Sequence, residues 1–214
     1  MTHILVFGDS IAWGAWDSRG GWVDRLKNFV YEKNINLTDY KDYDCTIYNL
    51  GISGNTSENI AARLDIETKS RLSKNEENII LFAIGINDSA FIKSKDDNWI
   101  PIKSFEKNIQ KIIDIPNKIV TKIICLNINP VQENKTNPIP WETDIYYKNE
   151  NIKQYNNSIS KICSENNVEC IDIFELFSKS NPNQLLEDGL HPNTEGHKLI
   201  FETVKKFLEE RNII

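Results

Sequence analysis

Ser10 and His191 are the residues whose types and positions first suggest nucleophilic chemistry in this chain. Ser10 follows the apolar run Ile4–Phe7 across Gly8 and Asp9, so the sequence predicts a buried strand that ends just before a serine. In α/β proteins the carboxyl ends of parallel strands carry the reacting groups. A serine hydroxyl at that edge predicts a nucleophile, provided that a base removes its proton during attack.

The base must be one of the histidines His3, His191 and His197. His3 opens the first predicted strand, at the edge opposite Ser10, and His197 is expected on the solvated surface of the last helix. His191 lies in a predicted loop, three residues after Asp188. That spacing lets one short loop hold the carboxylate against Nδ1 of the imidazole and leave Nε2 for the serine. Ser10, Asp188 and His191 are therefore the predicted catalytic residues.

Acyl transfer also needs hydrogen-bond donors for the oxyanion of a tetrahedral intermediate. Three candidates are the backbone N–H of Ser10, the backbone N–H of Gly54 and the side-chain amide of Asn87. Gly54 and Asn87 each follow a predicted strand, and a glycine lets the main chain approach a substrate closely. These three donors predict an oxyanion hole.

The elements that must position these residues alternate between strands and helices. Predicted strands cover residues 4–7, 45–50, 78–84, 119–126 and 168–173. Predicted helices cover residues 21–33, a segment from an Asn55 cap to about 72, 105–113, 152–162, and a terminal helix capped by Asn193. The alternation favours an α/β fold, with one parallel sheet covered by helices on both faces. We find no repeat and no linker, so residues 1–214 are predicted to form a single domain.

Three loops are expected to shape a substrate pocket, namely 12–20, 89–103 and 131–147. The last has no clean periodicity and is predicted to be a lid or a mobile segment. Aromatic side chains in these regions are candidates to line an acyl or sugar pocket, although packing or lid surface is an equally good interpretation. They are Trp13, Trp16, Trp141, Tyr146 and Tyr147.

Composition narrows the partners and the compartment. The net charge of −6 over 214 residues argues against nucleic acid as the main partner. No apolar run approaches the ~18 residues of a membrane helix, and the N-terminus shows no signal peptide. The scattered Cys45, Cys125, Cys163 and Cys170 are predicted to be buried thiols without a disulfide framework. Together these features predict a soluble, cytoplasmic protein.

No cofactor is predicted. Asp9 and Asp88 each lie in a strand-end turn, where carboxylates also occur as metal ligands. Neither belongs to an Asp-x-His or His-x-x-x-Asp pattern that would complete a ligand shell. Turn and cap hydrogen bonding is therefore the expected role of both carboxylates, and no metal site is predicted.

Four sequence blocks resemble the signatures of the SGNH (GDSL-type) hydrolases. They occur in family order across the chain, as Gly8-Asp9-Ser10, Gly51-Ile52-Ser53-Gly54-Asn55-Thr56-Ser57, Gly85-Ile86-Asn87-Asp88 and Asp188-Gly189-Leu190-His191-Pro192. The resemblance implies a three-layer α/β/α sandwich with a flavodoxin-like sheet. It also implies Ser10 as nucleophile, Asp188 and His191 as triad partners, and Gly54 and Asn87 with the Ser10 amide as oxyanion hole. Gly51 is an alternative to Gly54 as the aligned glycine.

The function predicted is that of a serine esterase that acts on a small-molecule ester through an acyl-enzyme, without a metal. Alternatives are a carbohydrate O-deacetylase of the same mechanism, and a non-catalytic binding module on the same fold. A metallophosphoesterase is a weaker alternative. The physiological substrate, the acyl-chain length, the leaving group and the oligomeric state do not follow from the sequence.

Overall fold

Eight strands run through the part of the chain that the structure, a computed structural model, describes: residues 1–35, 45–72, 75–116 and 120–214. They are β1 (Thr2–Gly8), β2 (Cys45–Gly51), β3 (Glu77–Ala83), β4 (Phe91–Ile92), β5 (Asp97–Asn98), β6 (Lys122–Leu126), β7 (Ile145–Tyr146) and β8 (Glu169–Ile171). Five of them form a parallel sheet in the order β2-β1-β3-β6-β8. The predicted five-stranded parallel sheet is confirmed.

The helices of the described residues flank this sheet. They are α1 (Ser10–Trp13), α2 (Gly21–Ile35), α3 (Ser57–Lys69), α4 (Ile102–Asp114), α5 (Glu133–Thr136), α6 (Asn149–Glu165), α7 (Ile173–Lys179) and α8 (Thr194–Glu209). Helix α2 packs against α8, while α4 packs against both α3 and α6. Helices α2 and α8 thus form one group, and α3, α4 and α6 form another. Right-handed crossovers place two such groups on opposite faces of a parallel sheet. The apolar strand β1 is buried along its whole length between these layers, as strands covered on both faces must be.

Two strand predictions needed correction at their ends. The fourth predicted strand begins at Lys122, and Ile119, where we expected it to start, lies outside the described residues. The fifth is only Glu169–Ile171, because Asp172 caps α7 by accepting a hydrogen bond from the Glu175 N–H at 2.9 Å. A helix-start signal thus replaces the last part of the predicted strand.

Helix α3 begins one residue later than predicted. Its N-cap is Thr56 rather than Asn55, and both the N–H and the hydroxyl of Thr56 donate to Asn59 Oδ1 at 2.9 Å. The helix ends at Lys69 instead of 72. Helix α8 agrees with its prediction, since Asn193 Oδ1 accepts hydrogen bonds from the Glu195 and Gly196 N–H groups.

The stretch 131–147 is more structured than its sequence suggested. It contains α5 and β7, and β7 pairs antiparallel with β4, which also pairs with β5. Tyr147, at the end of the stretch, is 3 % exposed. A small second sheet of β5, β4 and β7, which we did not predict, therefore holds this stretch in place by strand pairing.

Candidate active site

The site lies where the chain direction across the sheet reverses. From β1 the chain moves outward to the edge strand β2 and then returns to β3 on the other side of β1. Loops leaving β1 and β3 consequently diverge and open a crevice at their carboxyl ends. Ser10 follows β1 and Asn87 follows β3, so both predicted site residues lie at this crevice.

The structure brings the three predicted catalytic residues together. Ser10 Oγ lies 3.0 Å from His191 Nε2, although 181 residues separate them in the chain. On the other side of the imidazole, His191 Nδ1 lies 2.7 Å from Asp188 Oδ2. The three side chains thus form a continuous hydrogen-bonded chain in the order Ser10, His191, Asp188.

Asp188 is held as an anion by its surroundings. Burial alone would raise the pKa of this carboxyl group, but the hydrogen bonds from the His191 side chain and backbone outweigh it and hold the pKa well below its usual range. Oδ1 accepts the N–H groups of Leu190 and His191 at 2.9 and 2.8 Å. Oδ2 accepts a second donor besides His191, the indole Nε1–H of Trp16 at 2.8 Å.

The Asn87 amide has a defined orientation. Its Nδ2 donates to the Asn55 carbonyl at 2.9 Å, and its Oδ1 accepts the hydroxyl of Tyr147 at 3.2 Å. Because the Asn55 carbonyl can only accept, the nitrogen end of the amide faces the loop that carries Gly54 and Asn55, and the oxygen end faces the Tyr147 hydroxyl. Sequence reasoning considered Tyr147 only as a pocket aromatic and missed this contact, which no local pattern signals.

Gly54 and its alternative Gly51 have different environments. Gly51 ends β2, and its N–H donates to Asn49 Oδ1 at 3.0 Å. Gly54 is exposed at φ +79°, and a Cβ added there would meet no atom within 4 Å. This left-handed backbone conformation favours glycine, and the open space beside it can admit a substrate. The environment therefore favours Gly54, because the Gly51 N–H is already engaged.

A pocket of about 460 Å³ opens beside Ser10 and His191. Trp13, at the end of α1, and the loop after α1, which carries Trp16, supply most of its wall. The two tryptophans are 58 % and 61 % exposed. Ser53, from the loop after β2, completes the lining. Two of the five candidate aromatic residues thus border the pocket, whereas Tyr146 stacks edge-on against Phe91 in the small sheet.

His197 is buried, and our expectation of a solvated surface position was wrong. Its Nε2 lies 2.8 Å from the Ala15 carbonyl and its Nδ1 accepts the Trp22 N–H at 3.3 Å. Burial lowers its pKa, so the neutral ring donates through Nε2 and accepts through Nδ1. The signal was present in the sequence, because His197 shares the buried helix face of Ile200 and Val204.

Asp9 and Asp88 make the cap contacts that we expected of them. Asp9 accepts the Ile11 N–H at 2.9 Å and so caps α1, and Asp88 accepts the Ser57 N–H at 3.0 Å at the start of α3. Burial raises the pKa of Asp9 to about 7 and that of Asp88 to about 6. Both carboxyl groups therefore act in local structure beneath the crevice.

Three cysteines that are scattered in the sequence meet in space. Cys125 and Cys170 are opposite each other on β6 and β8, and Cys163 of α6 covers them, with the three sulfurs within 4.8 Å of one another. In the described part of the chain this is the sole group of three possible ligands close enough to share a metal ion. Burial raises the pKa of Cys125, which favours the neutral thiol expected of an apolar core.

The parallel sheet and the crevice define a class of three-layer α/β proteins in which a serine follows the first strand. The family model "GDSL-like Lipase/Acylhydrolase" matches residues 4–204. The chain belongs to this family and is a GDSL-type ester-bond hydrolase. None of the helices in the described ranges has both the length and the apolar character needed to cross a membrane.

Proteins named as esterases are similar to this chain along most of its length. An isoamyl acetate-hydrolyzing esterase of Saccharomyces cerevisiae is 25% identical over 218 residues, with 96% of this chain and 85% of the relative covered. An arylesterase of Vibrio mimicus is 24% identical, with 96% and 87% covered.

Solved structures show the same fold. A lipase/acylhydrolase from Enterococcus faecalis superposes with a TM-score of 0.75 at 24% identity, covering 99% of this chain and 97% of the other. A variant of an acetyl xylan esterase from Geobacillus stearothermophilus gives a TM-score of 0.69 at 22% identity, covering 97% and 93%. At these identities the likeness concerns the fold, and the predicted flavodoxin-like α/β/α sandwich is thereby confirmed.

Proposed function

We propose that this protein is a serine esterase that hydrolyses carboxylic esters through an acyl-enzyme on Ser10. The observation that carries the proposal is the hydrogen-bonded chain from Ser10 Oγ through His191 to Asp188. It supplies a nucleophile, a base within proton-transfer distance and an anion that orients the base. Residues 1–214 are inferred to act as one catalytic unit.

In the first half-reaction Ser10 Oγ attacks the ester carbonyl carbon while its proton moves to His191 Nε2. The carbonyl π electrons move onto oxygen, and the resulting oxyanion accepts hydrogen bonds from the Ser10 N–H, the Gly54 N–H and the Asn87 amide. Asp188 stabilises the imidazolium that forms. When the C–O bond breaks, the leaving alkoxide takes the proton from Nε2 and departs as an alcohol, leaving Ser10 acylated.

In the second half-reaction water replaces the alcohol. His191 Nε2 removes a proton from water, whose oxygen attacks the acyl carbon, and the same donors hold the second oxyanion. The bond to Ser10 Oγ then breaks, Oγ recovers its proton from Nε2, and a carboxylic acid is released. The step consumes one water and needs neither metal nor redox cofactor.

The proposal is tested with a fluorophosphonate probe and a panel of esters. We expect the probe to attach covalently to Ser10, located by mass spectrometry of the peptide, and to stop hydrolysis of p-nitrophenyl esters in parallel. A panel of increasing acyl length then defines the acyl preference. An unlabelled Ser10 in a protein without ester hydrolysis would instead favour a binding module on the same fold.

A carbohydrate O-deacetylase of the same mechanism is the second candidate. Trp13 and Trp16 favour it, because two exposed indoles beside the reacting serine suit stacking against a sugar ring. A structural neighbour is named an acetyl xylan esterase. Acetate release from acetylated xylo-oligosaccharides, compared with cleavage of longer acyl esters at equal concentration, separates the two candidates.

Replacing Asn87 with alanine tests the proposed oxyanion hole. We expect kcat to fall by about 10²- to 10³-fold with little change in KM, because the amide would act on charge that develops only in the transition state. Tyr147→Phe, which removes the hydroxyl that orients the amide, should give a smaller loss. Asn98→Ala is the control, and equal kcat values for the Asn87 and Asn98 variants would contradict this role.

A further inference from the structure

Trp16 is an exposed indole on a strained backbone. Its side chain is 61 % exposed, so burial does not hold it, and its φ of +65° is unfavourable for a bulky residue. Such a conformation is energetically unfavourable and persists only where surrounding contacts enforce it. The contacts that hold Trp16 in this conformation therefore indicate its role.

Both neighbours of Trp16 are fixed by buried groups on other helices. The Ala15 carbonyl accepts a hydrogen bond from His197 on α8 at 2.8 Å. The Asp17 carboxylate accepts two hydrogen bonds, of 2.7 and 3.0 Å, from the guanidinium of Arg25 on α2. The loop is thereby anchored immediately before and after Trp16, and the indole projects toward the Asp188–His191 pair.

The indole contacts this pair in two ways. Its Nε1–H donates to Asp188 Oδ2 at 2.8 Å, the same oxygen that lies 2.7 Å from His191 Nδ1. Its ring also stands edge-on to the imidazole, with ring centroids 6.4 Å apart and planes at 78°. One carboxylate oxygen therefore shares its charge between the imidazole and the indole.

We propose that Trp16 is a positioning residue that acts through Asp188 and extends the enzyme's working range toward acid. This inference depends on the proposed function. By taking part of the charge on Oδ2, the indole weakens the stabilisation of an imidazolium at His191. The imidazolium that forms when His191 accepts the Ser10 proton is therefore stabilised less than it would be beside an unshared carboxylate.

Other charges near His191 do not change when Trp16 is replaced. Besides Asp188, two titratable groups that interact electrostatically with the imidazole are Asp9, between β1 and α1, and His197, on α8. Asp188 Oδ1 keeps both backbone N–H donors in such a variant, so the carboxylate stays beside the imidazole. Replacing Trp16 therefore changes only the hydrogen bonding, and with it the charge, at Asp188 Oδ2.

Trp16→Phe keeps a ring and removes the donor. We expect the acidic limb of the kcat/KM profile to move to higher pH by about half a unit to one unit, because Oδ2 then stabilises imidazolium more strongly. Trp13→Phe, in the same pocket, should alter KM without moving the limb, and Trp141→Phe is the surface control. A limb that does not move in Trp16→Phe overturns the proposal even if the esterase activity is established.

An NMR measurement tests the contact without relying on turnover. The chain has five tryptophans, so a ¹⁵N-labelled sample gives five indole N–H cross-peaks, and the one missing in Trp16→Phe is that of Trp16. We expect it to shift upfield in Asp188→Asn and to move with pH over the range of the acidic limb of kcat/KM. A Trp16 signal that shifts neither in Asp188→Asn nor with pH overturns the inference. A failed fluorophosphonate reaction, in contrast, bears only on the proposed function.

Discussion

Ser10→Ala is expected to lower kcat for p-nitrophenyl acetate by about 10⁵-fold or more, while the protein stays folded. The variant loses the oxygen that would form the acyl bond, so the remaining groups can only assist attack by water. Ser10 begins the short helix α1, and alanine is a good helix former, so the local fold tolerates the change. Steady-state hydrolysis and circular dichroism of the same preparation measure the two parts of the expectation.

Ser178→Ala is a matched control for this variant. The Ser178 hydroxyl donates to the Phe174 carbonyl within its own helix α7, outside the pocket that borders Ser10. We expect wild-type kcat for the control. Substantial hydrolysis by Ser10→Ala, with the fold intact and no hydrolysis in a mock preparation from cells that lack the protein, would remove Ser10 from the proposed mechanism.

Asp188→Asn is expected to lower kcat by about 10⁴-fold. The carboxylate orients the ring by accepting the Nδ1–H and leaves Nε2 as the proton acceptor, whereas an amide nitrogen facing Nδ1 favours the opposite tautomer. The low pKa of Asp188 keeps it ionised through the neutral and mildly acidic range, so the wild type retains this advantage over that range. A kcat–pH profile of both proteins gives the measurement.

Glu187→Gln is the control for Asp188→Asn. It removes the same charge from the adjacent position, where the side chain is exposed and only the backbone N–H is engaged, donating to the His191 carbonyl at 2.9 Å. Near-wild-type activity is expected. If the two variants lost activity equally, the effect would be one of loop charge, and the proposed orienting role of Asp188 would be contradicted.

The sequence alone predicted the sheet and the positions of the site residues because both depend on local patterns. Apolar runs such as Ile4–Phe7 form buried strands, and alternation with helices makes those strands parallel. Parallel strands end at one edge, so Ser10, Gly54 and Asn87 could be expected near one another before any distance was known. The capped start of α8 was readable for the same reason, since Asn193 acts on N–H groups only two and three residues away.

Some errors were also local, and the sequence held the signal that would have prevented them. Asp172 followed three residues later by Glu175 is a helix-start pattern, yet the apolar residues around it were interpreted as strand. His197 recurs at helical spacing with Ile200 and Val204, yet its polarity suggested solvent. In both cases the residue type was given more weight than its spacing.

Only the tertiary structure decided which distant groups form hydrogen bonds with each other. Tyr147 is hydrogen-bonded to Asn87, Trp16 to Asp188 and His197 to Ala15. These pairs are separated by 60, 172 and 182 residues. Such contacts depend on strand register, on the path of the loops and on rotamers, none of which has a local period in the chain. The sequence therefore determined that a serine, a histidine and an aspartate would meet at one sheet edge. The packing of loop 14–20 against α2 and α8 decided that an indole would share the aspartate with the histidine.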